Sequence, residues 1–475
     1  MNKGKLSVST TRDSGLMIMN QLNRTLLNGF SKLNKLLNEL PDHRKRRDYS
    51  TTELTMAGIS MFLFRECSRN GFNNDRVEAN FASNYQKVFK LRLPHMDTVE
   101  DFFRKLSHKS MENIKASLFA DLVRKKVFSY HRLLGQYYLV VIDGTGLFSY
   151  KQNNAEGTRI FRESKNGKVT YHDYVLEAKM VTTTGLVISI ASEWVSNEGK
   201  SAFEKQDCEL KAFVRLAQRI KSQFPQLPIC ISADGLYPNE TFMKTCKGHG
   251  WEFLVVLKDE QLKTLHEDIT DIEDRLREAE EVVKVGDKGR THITQKLQWI
   301  REDAKLEYHG HRVFYLKCKE TVTKYDKAVN IVRGHKANDT RDKAVKKSEE
   351  TTNFEWLCSI PITNENKCEL EKSGRNRWKI ENEGFNTQKN LGYSLGHKFA
   401  RVSKESMMNF YECLQIAHFI SQLVEHSTTI TKELCTNTKQ TIIHFWKQAK
   451  SWLTQKDNID SLDLTERRTQ LRLRK

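Results

Sequence analysis

Three carboxylates in this sequence stand where a fold can present them to a substrate. Asp143 ends the apolar run "YYLVVID" and is followed by "GTG", while Asp234 ends "ICISAD" and is followed by Gly235. A charged residue at the end of a buried strand, ahead of a glycine turn, can meet a ligand at the edge of a sheet. An aspartate in that place also serves to cap a turn or the next helix. Glu381 is the third, in the helical stretch "RNRWKIENEGFNTQKN". At about 100° per residue, Arg377 and Glu381 share a face that Glu383 does not, with Gln388 on the Glu381 side and Lys389 within reach of it. The same spacing describes an exposed Arg–Glu pair one turn apart, worth about 0.3 kcal/mol. Oxygen ligands without a His or Cys cluster suit Mg²⁺ or Mn²⁺ rather than zinc. Two such ions about 3.5–4 Å apart activate a water or a 3′-hydroxyl for in-line displacement at phosphorus. A neighbouring Arg and Lys would neutralise and orient the diester.

The elements that must hold these residues follow from the hydrophobic pattern. "YYLVVID" reads as a buried strand, and "VTYHDYVLEAKMVTTT" and "GLVISIASEWV" as two further strands turning near Gly185. A helix spans 205–224, with Leu210, Phe213, Val214, Ala217 and Ile220 assigned to one side. The strand "LPICISADGL", a short helix and the strand "WEFLVVL" come next. Three strands, helix, strand, helix, strand suits a mixed sheet and is the order of the ribonuclease-H-like fold. His172 and Glu193, on the second and third strands, can approach the acids but read first as ordinary hydrogen-bond partners. Lys205, Asp207 and Glu209 open the helix, where acids suit the N-terminal dipole, and are left out of the site.

Five segments result. Residues 1–130 are a helical region, with one helix over 21–40 and "RKRR" (44–47) equally a solvated loop or a DNA-backbone contact. Residues 131–259 are the first part of a catalytic core. Residues 260–372 are a β-rich insertion, in which "THITQKLQWI" and "KLEYHGHRVFYLKCKETV" alternate like antiparallel strands and 324–352 is a polar loop. Residues 373–425 complete the core with the Glu-bearing helix, and 426–475 form a helical, basic end closing on "ERRTQLRLRK".

The 475 residues carry 78 basic and 60 acidic side chains, a formal charge of +18. That excess favours a polyanionic partner, nucleic acid before membrane. The longest apolar runs fall far short of the roughly 20 residues of a spanning helix, and the first twenty residues lack a secretion signal. A cytoplasmic, nucleoid-associated protein is expected. Nine scattered cysteines without a CxxC pair read as reduced thiols rather than a disulfide or zinc framework.

Taken together, "IDGTGLFSY", "KQDCELKAFVRLA", "SADGLYPNETF" and "RNRWKIENEGFNTQKN" resemble the DDE transposases of bacterial insertion sequences, in the cut-and-paste family with a Y-R-E-K signature. The resemblance runs from "FRECSRN" (64–70) past "LGHKF" (395–399). It implies an α/β fold: a ribonuclease-H-like mixed-sheet core with a β-rich insertion, flanked by helical N- and C-terminal regions. Asp143, Asp234 and Glu381 become the catalytic triad holding two Mg²⁺ or Mn²⁺ ions, with Arg377 and Lys389 on DNA phosphates. Trp356, in "FEWLCSIPIT", resembles a tryptophan that stacks on a flipped base, and reads alternatively as a core aromatic. The signature is met in part. Its tyrosine position is Gly374, and its lysine position is Gln388, with Lys389 one residue late. The implied activity is cleavage at transposon ends followed by strand transfer, by a homodimer that pairs terminal inverted repeats and engages target DNA. The freed 3′-hydroxyl attacks either the opposite strand, making a hairpin, or target DNA. Alternatives are a nuclease of the same fold that cuts without joining, and a non-catalytic DNA-binding descendant of a transposase. An RNA-binding scaffold would leave the carboxylates unexplained.

Overall fold

The structure is a computed structural model. It describes residues 8–154, 156–199, 206–258, 262–271, 276–286, 290–300, 306–326, 331–332, 335–336, 345–401, 403–435, 441–455, 462 and 471–474. Lys205 and most of the basic tail lie outside these. The chain is mixed α/β and divides into two compact units. The larger comprises Met1–Arg132, Asp143–Gln226 and Trp378–Lys475, and the smaller Leu133–Ile142 and Leu227–Arg377. The main strands are β1 (Tyr138–Tyr150), β2 (Ile160–Glu163), β3 (Val169–Val181), β4 (Val187–Val195), β5 (Ile229–Ala233), β6 (Glu252–Val256), β7 (Leu276–Gly286), β8 (Thr291–Ile300), β9 (Phe314–Tyr325) and β10 (Lys346–Cys358).

In the smaller unit the strand order is β1–β5–β6–β10–β9–β8–β7, with β1 contributing residues 138–142. β1, β5 and β6 are parallel and the remainder antiparallel. Every residue of β5 and of Tyr138–Ile142 is buried, the continuous Val/Ile run that a strand covered on both faces requires. The antiparallel strands expected from "THITQKLQWI" and "HRVFYLKCKETV" are present as β8 and β9. The polar loop expected over 324–352 is in part strand. β10 pairs with β9 from Phe314↔Cys358 to Tyr325↔Lys346, although its residues 346–353 are all exposed. Cross-strand polar pairs accompany the ladder there, Thr321 with Thr351 at 3.2 Å and Thr323 with Glu349 at 3.2 Å. Residues 327–330, 333–334 and 337–344 of that stretch lie outside the described residues.

In the larger unit the order is β2–β3–β1 with β4 on β3, and β3 and β4 turn at Gly185 as expected (φ 94°). Two helices are buried on all sides, Thr51–Leu63 throughout and Lys404–Glu425 from Ser406 to Val424. Such all-round burial places them at the centre of a core. A capping box starts the first: Ser50 Oγ accepts the Glu53 N–H and Glu53 Oε2 accepts the Ser50 N–H. The single helix expected over 21–40 is two, Val8–Asn28 and Leu33–Asn38. The Glu209–Gln223 helix buries Ala212, Phe213, Leu216, Ala217 and Ile220. Leu210 and Val214, assigned to that face, are 37% and 38% exposed, since the i, i+3, i+4, i+7 stripe runs through 213, 216, 217 and 220. In "RKRR", Arg44 grips Asp42 at 2.9 and 2.8 Å, Arg46 pairs with Asp48 and Arg47 with Asp42, so much of the loop's charge is met locally.

Charge is also buried in this core. Lys115 Nζ lies 2.8 Å from Glu412 with both side chains covered and donates to Ser192 Oγ at 2.7 Å. Tyr411 donates to Glu177 Oε1 at 2.6 Å, and Glu112 accepts the Ser192 N–H and pairs with Arg219. Among the described residues no helix is long and apolar enough to cross a membrane, and Cys67, Cys208, Cys230, Cys246, Cys318, Cys358, Cys368 and Cys413 are free.

Candidate active-site carboxylates

β1 and β5 lie side by side and parallel, with Tyr138 opposite Ile229 and Val141 opposite Ser232. Asp143 and Asp234 each come two residues after that last pair. Asp234 follows the end of β5, whereas β1 continues through Asp143 to Tyr150, so the strand end and glycine turn expected at Asp143 are not found. Asp143 is half-buried, and its Oδ1 accepts the Gly144 N–H at 2.9 Å. Asp234 Oδ1 accepts the Leu236 N–H at 2.9 Å, the turn-capping role such an aspartate can fill. Its Oδ2 lies 3.9 Å from Lys258 Nζ. The lysine stem crosses Gly235 so closely that a Cβ there would meet Lys258 Cγ at 2.8 Å. Lys258 was not legible beforehand, because it sits two residues past a strand with no pattern of its own.

Two side chains beside Asp143 are Glu209, which the sequence placed outside the site, and Tyr174, which it did not single out. Tyr174, on β3, donates to Glu209 Oε1 at 2.6 Å. A Cβ on Gly144 would lie 2.5 Å from the Tyr174 oxygen and 2.9 Å from Glu209 Oε1, so only glycine lets the backbone after Asp143 pass this pair. Burial, then the bond to Glu209 and its charge, then the charge of Asp143, push the Tyr174 phenol far above its ordinary range. It therefore stays a hydrogen-bond donor. Glu209 does more than open its helix. The other residues considered there have structural partners. Arg215 bonds Glu193 at 2.6 Å and Asp207 at 2.7 Å, and His172 Nε2 meets Thr170 Oγ1 at 2.9 Å. Burial opposes the charged form of Asp207, but the bonds from Arg215 and the Ser196 N–H outweigh it and hold the carboxyl below its usual range.

The helix expected over 375–390 is not one α-helix. The Lys367–Arg375 helix, in the smaller unit, is followed by a π-helix over Ile380–Asn386 and a short α-helix, Thr387–Asn390, in the larger. A π segment carries its hydrogen bonds from i to i+5, so the 100° phase that set Glu381 and Arg377 on one face and Glu383 on another does not hold. Ile380 and Phe385 are buried, Glu381 is exposed, and Glu383 is half-buried with Lys379 Nζ at 3.3 Å. Gln388 is buried and Lys389 exposed. In the smaller unit Arg377 is 8% exposed. π segments of this kind recur at functional sites.

Gly374, where the resemblance implied a tyrosine, leaves no room for a side chain. A Cβ at 374 would lie 2.5 Å from Trp356 Cε2 and 2.8 Å from Cδ1. No side chain fits there while the indole stays. Trp356 itself is 2% exposed and stacks on Phe354 with ring centres 6.1 Å apart. As it stands, it offers no open face to a base.

Among the described residues no three His, Cys, Asp or Glu side chains are gathered closely enough to hold a metal ion. The donor chemistry still suits one, since Asp143, Asp234, Glu381 and Glu383 are hard oxygen ligands with at least partial access to solvent. No protein-family model matches the chain, and no curated protein is similar to it.

Proposed function

We propose that this chain is a DDE-type DNA transposase with a ribonuclease-H-like core, which cuts DNA at the ends of a mobile element and joins the freed 3′-end to target DNA. The observation that carries the reading is the parallel pairing of β1 with β5, with Asp143 inside β1 and Asp234 just past β5, each two residues beyond the last pair and followed by a glycine. The formal charge of +18 supports a polyanionic partner. Asp143, Asp234 and a glutamate of the π segment are the acid groups of the reaction, with Glu381 first by its exposure and Glu383 next. Bound Mg²⁺ or Mn²⁺ would supply Lewis-acid stabilisation of the oxygens that attack and leave. Arg377 and Lys389 are the phosphate partners, and two copies of the chain hold two DNA ends. Cutting and joining are one displacement at phosphorus, in which a new P–O bond forms as another breaks. Water is the first nucleophile and the 3′-hydroxyl the second.

The test uses purified protein, DNA carrying the sequences that flank its gene, and Mg²⁺, with products resolved on a denaturing gel. Wild type is compared with D143N, D234N, E381Q and E383Q. End-specific cleavage followed by joined products, abolished by D143N, D234N and one glutamate variant, supports the proposal. Cleavage that never joins replaces it with a nuclease. Binding of the ends with no cleavage by any protein replaces it with a DNA-binding descendant.

A further inference from the structure

The larger unit buries a lysine beneath the segment that carries Glu381 and Glu383. Lys179, on β3, has a side chain 0% exposed. Its ammonium donates to Oε1 of Gln415 at 3.0 Å and of Gln388 at 3.4 Å and stands 5.0 Å from the centre of the Phe385 ring. Its stem passes Gly384, where a Cβ would be 3.6 Å from Lys179 Cδ. Gln388 and Gln415 bond each other in both directions, at 2.9 and 3.2 Å. Gln388 also reaches His418 Nδ1 at 3.2 Å, and His418 meets the backbone of Glu383. The charged groups around Lys179 are Glu177 at 3.8 Å and, more remotely, Lys115 and Glu412.

A lysine at this depth is costly. Burial pushes its ammonium down to about 8, and an apolar chain of equal volume would pack without that cost. Its contacts are therefore informative. Apart from Glu177, they join two things: the Gly384–Gln388 stretch and the Lys404–Glu425 helix. The stretch has two ways to wind. An α-helical path through the seven residues of the π segment would turn the residues after it by roughly one position, taking Gln388 out of its bonds and bringing a neighbour into its place. That neighbour is Thr387, whose short side chain would not span the bonds that Gln388 makes to Lys179 and Gln415 and would leave the buried ammonium short of an acceptor. The buried cation thus discriminates between registers.

We propose that Lys179 is a positioning residue that locks the Ile380–Asn390 segment in its π register, so that Glu381 and Glu383 are presented in one arrangement. Its catalytic consequence rests on the phosphoryl-transfer reading, but the register lock does not.

The test exchanges the partners. Q388K sets a second ammonium against Lys179, K179Q removes the cation, and K179Q/Q388K restores a single cation on the opposite side of the contact. Hydrogen–deuterium exchange is followed in the amides of 380–390 without DNA. Each single substitution raises exchange about tenfold or more in that segment, and the double returns it to within about threefold of wild type. In the DNA assay the single substitutions lower the single-turnover cleavage rate about tenfold at a DNA Kd within about twofold of wild type, and the double recovers the rate. Additive effects in the double, or exchange rising throughout the larger unit, overturn the proposal. If Q388K does not fold, K179M replaces it: a rise confined to 380–390 supports the lock, and unchanged exchange refutes it. A protein that cuts no DNA sinks the functional reading and leaves the exchange result to decide this one.

Discussion

The substitution G374A sets two effects of opposite sign against each other. Gly374 is in the last turn of the Lys367–Arg375 helix, and alanine in a helix interior is favoured over glycine by up to about 1 kcal/mol. Against this, the new Cβ would stand 2.5 and 2.8 Å from two indole atoms of Trp356, where carbon atoms in contact rest about 3.5–4.0 Å apart. The indole cannot easily yield, because it is 2% exposed and lies nearly parallel to Phe354, at an interplanar angle of 12°. Overpacking costs about 1–3 kcal/mol, and a backbone-fixed Cβ against a rigid ring belongs at the upper end. The net expectation is a loss of about 2 kcal/mol. In a W356L background the overlap disappears and G374A becomes neutral or slightly stabilising, giving a coupling of about 2–3 kcal/mol between the two positions. Urea unfolding followed by circular dichroism measures this as a lower midpoint at unchanged slope. A raised midpoint for G374A, or additivity with W356L, would refute the steric account of the glycine at 374.

K115M should cost about 3–5 kcal/mol in urea unfolding, since it leaves the covered Glu412 without its cation and Glu177 with Lys179 alone. Most of that loss should return in K115M/E412L, and a near-neutral single substitution would mean the pair is not buried as described. His426 gives a pH prediction: burial, with help from His131, Arg474 and Lys379, pushes its imidazolium down to about 4 from an ordinary 6.5. The depressed folded value means its contribution is intact above pH 6.5 and is lost as pH falls to 4. The loss amounts to about 3 kcal/mol at most. H426Q should remove that slope from the difference between the two stability curves, and parallel curves over this range would rule it out.

The strands were legible because burial writes itself into composition. "YYLVVI" and "ICISA" contain almost nothing but buried chains, and their identity as strands followed from that. β10 was not legible, as its first eight residues are exposed and its ladder is built from backbone groups and polar pairs. The π segment escaped for a different reason. Hydropathy reports which residues face inward, and Ile380 and Phe385 are buried in either winding. The extra residue per turn shows only in what lies beneath, at Lys179 and Gln388. Glu209 was passed over because a helix-opening acid has a sufficient local explanation, while its bond to Tyr174 joins positions 35 residues apart.

The burial of the Lys404–Glu425 helix has a consequence for synthesis. It is a centrepiece of the larger unit, yet about two hundred residues separate its start from the end of β4. At about 5–20 residues per second, a ribosome would need roughly 10–40 s to deliver it after β4 has emerged. For that interval the Thr51–Leu63 helix, buried on every side in the finished fold, and the buried face of β4 wait without their partner. The nascent chain is a natural client for a chaperone that holds apolar segments, and truncation anywhere before residue 404 should yield aggregate rather than a smaller folded protein.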